Sequence, residues 1–205
     1  MGNGVILAVF LLSNRANINL KRNTMPTTAQ PLPYFQFHPD PLATGAVRAS
    51  QAVCVCCGMA RGYIYFGPVY AIEELNEKLC PWCIADGSSA SKLGASFADS
   101  YPLVQAGVSN DVVEEINLRT PGYESWQQES WLSHCGDACE FHGDATSVDV
   151  SAASDETKQQ WKTEYKQDEG GWQWATDGYR PGGSSAFYKF QCRHCRLILL
   201  GWDLD

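Results

Sequence analysis

Two Cys-x-x-Cys motifs set the frame for the rest of the chain. Cys54-Val-Cys56-Cys57-Gly58 supplies the pair Cys54/Cys57, Cys80-Pro-Trp-Cys83 supplies Cys80/Cys83, and 22 residues, Gly58 to Leu79, separate them. That gap is close to the roughly 15–20 residues usual in a four-thiolate zinc site. The geometry explains the pattern. Thiolates three positions apart on a tight turn both reach one ion at about 2.3 Å, and two such turns complete a tetrahedron. Gly58 suits the first turn, because glycine adopts positive φ without steric cost. The bland alternative is a set of buried or redox cysteines whose spacing is coincidental.

Nine cysteines leave more to explain. Secretion with disulfides is one route to such a count. However, the cysteines come in short-range pairs and their number is odd, which suits metal-bound thiolates in a reducing, cytoplasmic setting. Cys135 and Cys139 form a C-x3-C pair and Cys192 and Cys195 a C-x2-C pair, with 52 residues between Cys139 and Cys192. Cys135, Cys139, Cys192 and Cys195 are therefore the expected ligands of a second zinc, giving two per chain. Two independent reduced pairs are the alternative. His134, His142 and His194 stand beside these cysteines and each has a ligand's chemistry, but an imidazole next to a thiolate more often serves as its neighbour. Cys56 is left over, as a small buried residue or a register alternative to Cys57.

The patterning predicts an α+β fold: a cysteine-rich, zinc-stabilised protein with a treble-clef-like N-terminal module over 31–98. A C-terminal module of helices and a zinc-knuckle hairpin follows over 99–205. Pro31–Asp40 alternates aromatic and polar residues between prolines and reads as an edge strand. Gly62–Tyr70, with Gly67-Pro68 at its centre, reads as a hairpin. Ala71–Leu79 places Ile72, Leu75 and Leu79 on one helical face. Pro81 suits a first helical position, which puts Cys80 and Cys83 at a helix N-terminus, where the macrodipole favours anions. Ser109 to Asp111 caps a helix through Leu118, and Glu124–His134 reads as a second. Ser154 caps a helix over Asp155–Gln167 that Gly170-Gly171 would stop. Ala186–Gln191 and Leu197–Trp202 flank the last Cys-x-x-Cys as strands.

Residues 1–24 stand apart. Val5–Leu12 is an apolar run of eight, too short to span a bilayer. It lacks the basic lead and small-residue cleavage site of a signal peptide. We expect the segment to be an extraneous extension, with Met25 the working start. No membrane association is expected.

Charge bears on partners. Three of the 15 Lys and Arg precede Met25, leaving 12 against 23 Asp and Glu, or −11. Two four-thiolate zinc centres would carry this to about −15. Such a surface repels nucleic acid, whose phosphates are bound through Lys and Arg, and attracts a basic protein. The seven tryptophans, without a basic cluster beside them, read as core rather than as base-stacking groups.

These residues together resemble the CbrC family of bacterial proteins. The resemblance rests on Leu32-Pro33-Tyr34-Phe35, His38-Pro39-Asp40-Pro41, Cys54-x-x-Cys57-Gly58 and Arg61-Gly62-Tyr63-Ile64-Tyr65. It continues through Cys80-Pro-Trp-Cys-Ile-Ala-Asp-Gly87, Arg119-Thr-Pro-Gly-Tyr123, Trp126-Gln127, Trp131 and His134-Cys135, then Cys192-x-x-Cys195 and Asp203-x-Asp205. It runs from about Leu32 to the end, which agrees with setting 1–24 aside. One departure is Arg196, where a knuckle usually has glycine. The resemblance implies tolerance to a colicin of the nuclease type. The expectation is a non-catalytic protein that binds a partner, such as a basic toxin domain. The alternative is a thiol–disulfide oxidoreductase using Cys80-Pro-Trp-Cys83.

Overall fold

Short antiparallel strand pairs carry the cysteine turns, and helices cover the faces those strands leave. The computed structural model describes Met1 and residues 30–204; the expected 1–24 extension and its Val5–Leu12 run lie outside the described residues. The fold mixes helix and sheet. Strands β1 (Val47–Ala49) and β2 (Tyr63–Tyr65) pair antiparallel with Val47 opposite Tyr65. The first Cys-x-x-Cys lies in the connection between them. The hairpin expected over Gly62–Tyr70 is therefore corrected: Tyr63–Tyr65 is a strand, but its partner lies upstream of the knuckle. Beyond it the chain runs on to Tyr70, which bridges Ser96.

Ala71–Leu79 is not helical. Its backbone groups are taken elsewhere: the Lys78 carbonyl accepts from Val55 N–H at 3.0 Å and the Leu79 carbonyl from Tyr65 N–H at 2.9 Å. Leu75 and Leu79 are buried as expected, while Ile72 is fully exposed. Helices α1 (Pro81–Ala85) and α2 (Ser88–Leu93) follow and close a core of Phe35, Ile64, Tyr65, Leu79, Ile84 and Phe97. Pro31–Asp40 alternates in burial, with Phe35 and Phe37 inside and Tyr34 out, yet it forms no ladder. A bond from Phe141 N–H to the Phe37 carbonyl, 2.8 Å, and one from the His38 ring to the Pro121 carbonyl, 2.7 Å, tie it to the C-terminal half.

Helix α3 (Tyr101–Gln105) leads to α4 (Asn110–Arg119), which follows Ser109 as predicted. The helix expected over Glu124–His134 is absent. Side chains intercept its N–H groups: Trp126 donates to Asp203 Oδ2 at 3.1 Å and Ser130 to Tyr123 Oη at 3.0 Å. Its end is instead β3 (Ser133–His134), paired with β4 (Asp137–Ala138).

The main sheet contains β5 (Glu140–Asp144), β6 (Ser185–Gln191) and β7 (Ile198–Leu204) in the order β5-β6-β7, all antiparallel. Period-two alternation along β6 sends Tyr188 and Phe190 to one face and Phe187 to the other. The first face packs on Tyr123, Trp131 and Phe141. The second packs on Trp161 and Trp172, from α6 (Asp155–Glu164) and α7 (Glu169–Thr176). A short α5 (Ser147–Ser151), closed by a Thr146/Asp149 capping box, connects β5 to α6. Ser154 caps α6 as predicted. Gly170-Gly171 does not stop a helix; it sits inside the first turn of α7, whose cap Asp168 accepts from Gly171 N–H at 2.9 Å. The stop comes earlier, at Lys166, whose φ is 52°. Among the described residues no helix is long and apolar enough to cross a membrane.

Candidate metal centres

Each C-x2-C knuckle is built on the same hydrogen-bond frame. At the first, Gly58 N–H reaches the Cys54 carbonyl at 2.8 Å and Cys54 N–H the Met59 carbonyl at 3.0 Å. At the last, Arg196 N–H reaches the Cys192 carbonyl at 3.1 Å and Cys192 N–H the Leu197 carbonyl at 2.8 Å. The frame needs a left-handed residue straight after the second cysteine. Gly58 has φ 70° and Arg196 φ 64°, so an arginine takes the glycine's conformation in the second knuckle. Such a conformation disfavours side chains with a Cβ.

Cys80 and Cys83 meet the first knuckle from α1. Cys80 occupies the N-cap and Pro81 the first turn. The sulfurs of Cys54 and Cys83 lie 3.9 Å apart and those of Cys57 and Cys80 3.8 Å apart. A tetrahedral ion with sulfurs at about 2.3 Å has S···S edges of about 3.8 Å, so this donor set fits one. Cys80 N–H also donates to Cys54 Sγ at 3.2 Å. The hydrogen bond from the Cys80 thiol, seconded by backbone N–H groups, holds the Cys54 pKa down at about 4 against its burial. The same bond drives Cys80 strongly upward, and burial pushes Cys83 up to about 12. One sulfur thus ionises readily at its neighbours' expense, and a dication is what would let all four deprotonate together. Cys54, Cys80 and Cys83 are buried in the N-terminal core. Cys56 is outside the group, with its thiol 3.4 Å from Ser88 Oγ.

The second group differs from the expected one. It consists of His134, Cys135, Cys192 and Cys195, whose donor atoms all lie within 4.8 Å of one another. Cys139 is not a member. Its neighbour β4 carries it into the core, where its carbonyl accepts from Trp131 Nε1 at 2.8 Å, its N–H bonds the Leu132 carbonyl, and burial raises its thiol pKa. His134 stands in its place. His134 Nδ1 is 3.3 Å from both Cys135 Sγ and Cys195 Sγ, near the N···S edge of about 3.6 Å for a tetrahedral ion with these ligands. Burial raises the Cys192 thiol pKa, but hydrogen bonds with Cys195 N–H, His134 and His194 N–H outweigh it and bring it to about 6.

The membership of His134 in this group left a trace in the sequence. Cys135-Gly136 forms the whole loop between β3 and β4, with φ 54° and 74°, the pattern of a two-residue primed turn that favours glycine second. Read as a hairpin, the segment places Cys135 at the tip and sends Cys139 inward. His142 and His194 are not in the group; they face Glu140 and Asp137.

Residues 32–204 match the uncharacterised protein family UPF0167. A UPF0167 protein of Pseudomonas aeruginosa is 51% identical over 176 residues, covering 85% of this chain and 97% of the relative. A UPF0167 protein of Mycobacterium bovis is 43% identical over 180 residues, covering 84% and 94%, as is one of Mycobacterium tuberculosis. No solved structure matches the chain.

Proposed function

The chain belongs to the uncharacterised protein family UPF0167, and on that footing we propose that it is a zinc-stabilised, non-catalytic protein acting by binding a basic protein partner. The observation that carries this reading is the pair of donor sets, each of four residues at tetrahedral spacing. A site with four protein ligands is closed and structural, whereas hydrolytic zinc keeps a position for water. Zinc suits both sets, because thiolate and imidazole in tetrahedral array select it over harder ions. Thiols held for a metal also suit a reducing compartment, and the cytoplasm is the location we propose.

The partner class follows from charge. A centre of four thiolates adds −2 and one of three thiolates and an imidazole −1 to the −11 counted from Met25, giving −14. This revises the −15 of two four-thiolate sites. A field of that sign steers cationic proteins inward. The resemblance to the CbrC family suggests which: a nuclease-type colicin domain, whose basic surface the acidic body would cover, giving the cell tolerance. The test is titration of the zinc-loaded protein with a purified cationic nuclease-toxin domain by calorimetry. A complex that weakens as salt rises is expected. No binding at micromolar concentration in low salt would overturn the reading.

Cys80 at the N-cap of α1 is the feature that favours the alternative, a thiol–disulfide oxidoreductase. Both sulfurs of that pair are buried, and Cys83 sits with a raised pKa, the opposite of a reactive thiolate. Insulin reduction by metal-free protein, abolished by Cys80→Ser, would restore that alternative.

A further inference from the structure

The two centres differ in placement as well as in ligand set. Three of the four sulfurs of the first are enclosed: Cys54 and Cys80 are 0% exposed and Cys83 2%. In the second, only Cys192 is enclosed, while Cys135 and Cys195 are exposed. Cys135 rides the tip of the β3–β4 hairpin, and Cys195 closes the knuckle between β6 and β7. Both sulfurs flank the same imidazole nitrogen at 3.3 Å.

We propose that Cys135 and Cys195 form an oxidant-sensitive modification site: a hydroperoxide joins them as a disulfide and expels the second zinc, while the first centre keeps its ion. The inference rests on the reading that both groups hold zinc. One exposed thiolate attacks a peroxide oxygen and breaks the O–O bond, giving a sulfenic acid and releasing hydroxide, or alkoxide from an organic peroxide. The other thiolate attacks that sulfur and displaces a second hydroxide as the S–S bond forms. Two electrons pass from the two sulfurs to the peroxide. The ion is left with His134 and Cys192 and dissociates.

Geometry selects this pair. The sulfurs begin within 4.8 Å of each other and must close to about 2.05 Å. Each sits on a short exposed turn, where small backbone shifts are cheap. The disulfide would join the same two hairpins that the zinc joins, so the second core remains closed under oxidation. At the first centre a peroxide must enter a core containing Leu79, Trp82 and Ile84 before meeting Cys54, Cys80 or Cys83.

The test starts from protein shown by native mass spectrometry to hold two zinc ions. Excess hydrogen peroxide is added with a chromogenic chelator present, and the product is mapped by peptide mass spectrometry. One equivalent of zinc is expected to leave at least about tenfold faster than the other, in step with thiolate exposure. A Cys135–Cys195 disulfide should accompany it, and dithiothreitol with added zinc should reverse both. Cys139→Ala, which spares both thiolates, should behave as the parent, and Cys135→Ser should release no fast equivalent. Release of both ions together, release of neither, or a first disulfide among Cys54, Cys57, Cys80 and Cys83 would overturn the proposal. Reduced protein that binds fewer than two zinc ions from the outset would overturn the zinc reading and this inference with it.

Discussion

Acidification from pH 7 to 5 is expected to weaken the fold through one buried imidazole, His38. The ring is fully enclosed and stands edge-on to Phe141, with centroids 4.9 Å apart. Its Nδ1 lies 2.7 Å from the Pro121 carbonyl, which can only accept, so the proton is on Nδ1 and Nε2 accepts from the Thr44 hydroxyl at 2.7 Å. Burial lowers its pKa from 6.5 to about 4, more than the Pro121 carbonyl raises it. The unfolded chain takes up a proton below pH 6.5 while the folded protein stays neutral until about pH 4. Stability is therefore full above pH 6.5 and drains away as pH falls towards 4. At about 1.4 kcal/mol per pH unit, the loss between pH 7 and 5 comes to about 2 kcal/mol. The assay is urea unfolding of the parent and of His38→Gln in excess zinc at pH 7, 6 and 5. Other acid-sensitive groups are common to both proteins, so the stability gap between them should narrow by about 2 kcal/mol. A gap that stays constant or widens would show that His38 protonates within the fold at its ordinary value, and the reasoning would fail.

Four substitutions probe the rest. Cys139→Ala should leave two zinc ions bound and cost about 1–2 kcal/mol from lost burial, whereas His134→Ala should lose one ion; both are read by metal analysis beside chemical denaturation. Gly122→Ala would drive a Cβ into the Phe97 carbonyl, and because the obstacle is backbone it should cost about 1–3 kcal/mol, measured as a fall in urea midpoint. Arg196→Gly removes a left-handed side chain costing about 1–2 kcal/mol together with exposed bonds to Glu140 and Gln191 worth less than about 1 kcal/mol. It should raise the thermal midpoint while both ions stay bound.

The parts of the fold legible in the sequence are those decided by local chemistry. Ser109 and Ser154 both stand at helix starts, Ser154 with a side chain that accepts from Thr157 N–H within one turn, and Cys54-x-x-Cys57-Gly58 marks a knuckle because Gly58 supplies the left-handed turn. The strand before Cys192–Cys195 shows through its alternation, and the one after it as the return strand of the same turn. What stayed hidden was decided by distant partners. Ala71–Leu79 has a helical apolar face, but its carbonyls are drawn to Val55 and Tyr65. Glu124–His134 has helical composition, but Asp203 and Tyr123 capture its N–H groups. Those competitors lie up to 77 positions away, beyond the reach of periodicity. Cys139 misled for a related reason: cysteines four apart suggest one turn, and only the Cys135-Gly136 hairpin reveals that they point in different directions.

On the proposed function, zinc ions in the two donor sets hold the fold together. Native mass spectrometry of fully reduced protein, before and after chelation and paired with circular dichroism, is the decisive test. The mass should exceed that of the bare chain by two zinc ions, and removing them should collapse the tertiary signal. Reduced, metal-free protein that keeps a native spectrum and a cooperative unfolding transition would contradict it.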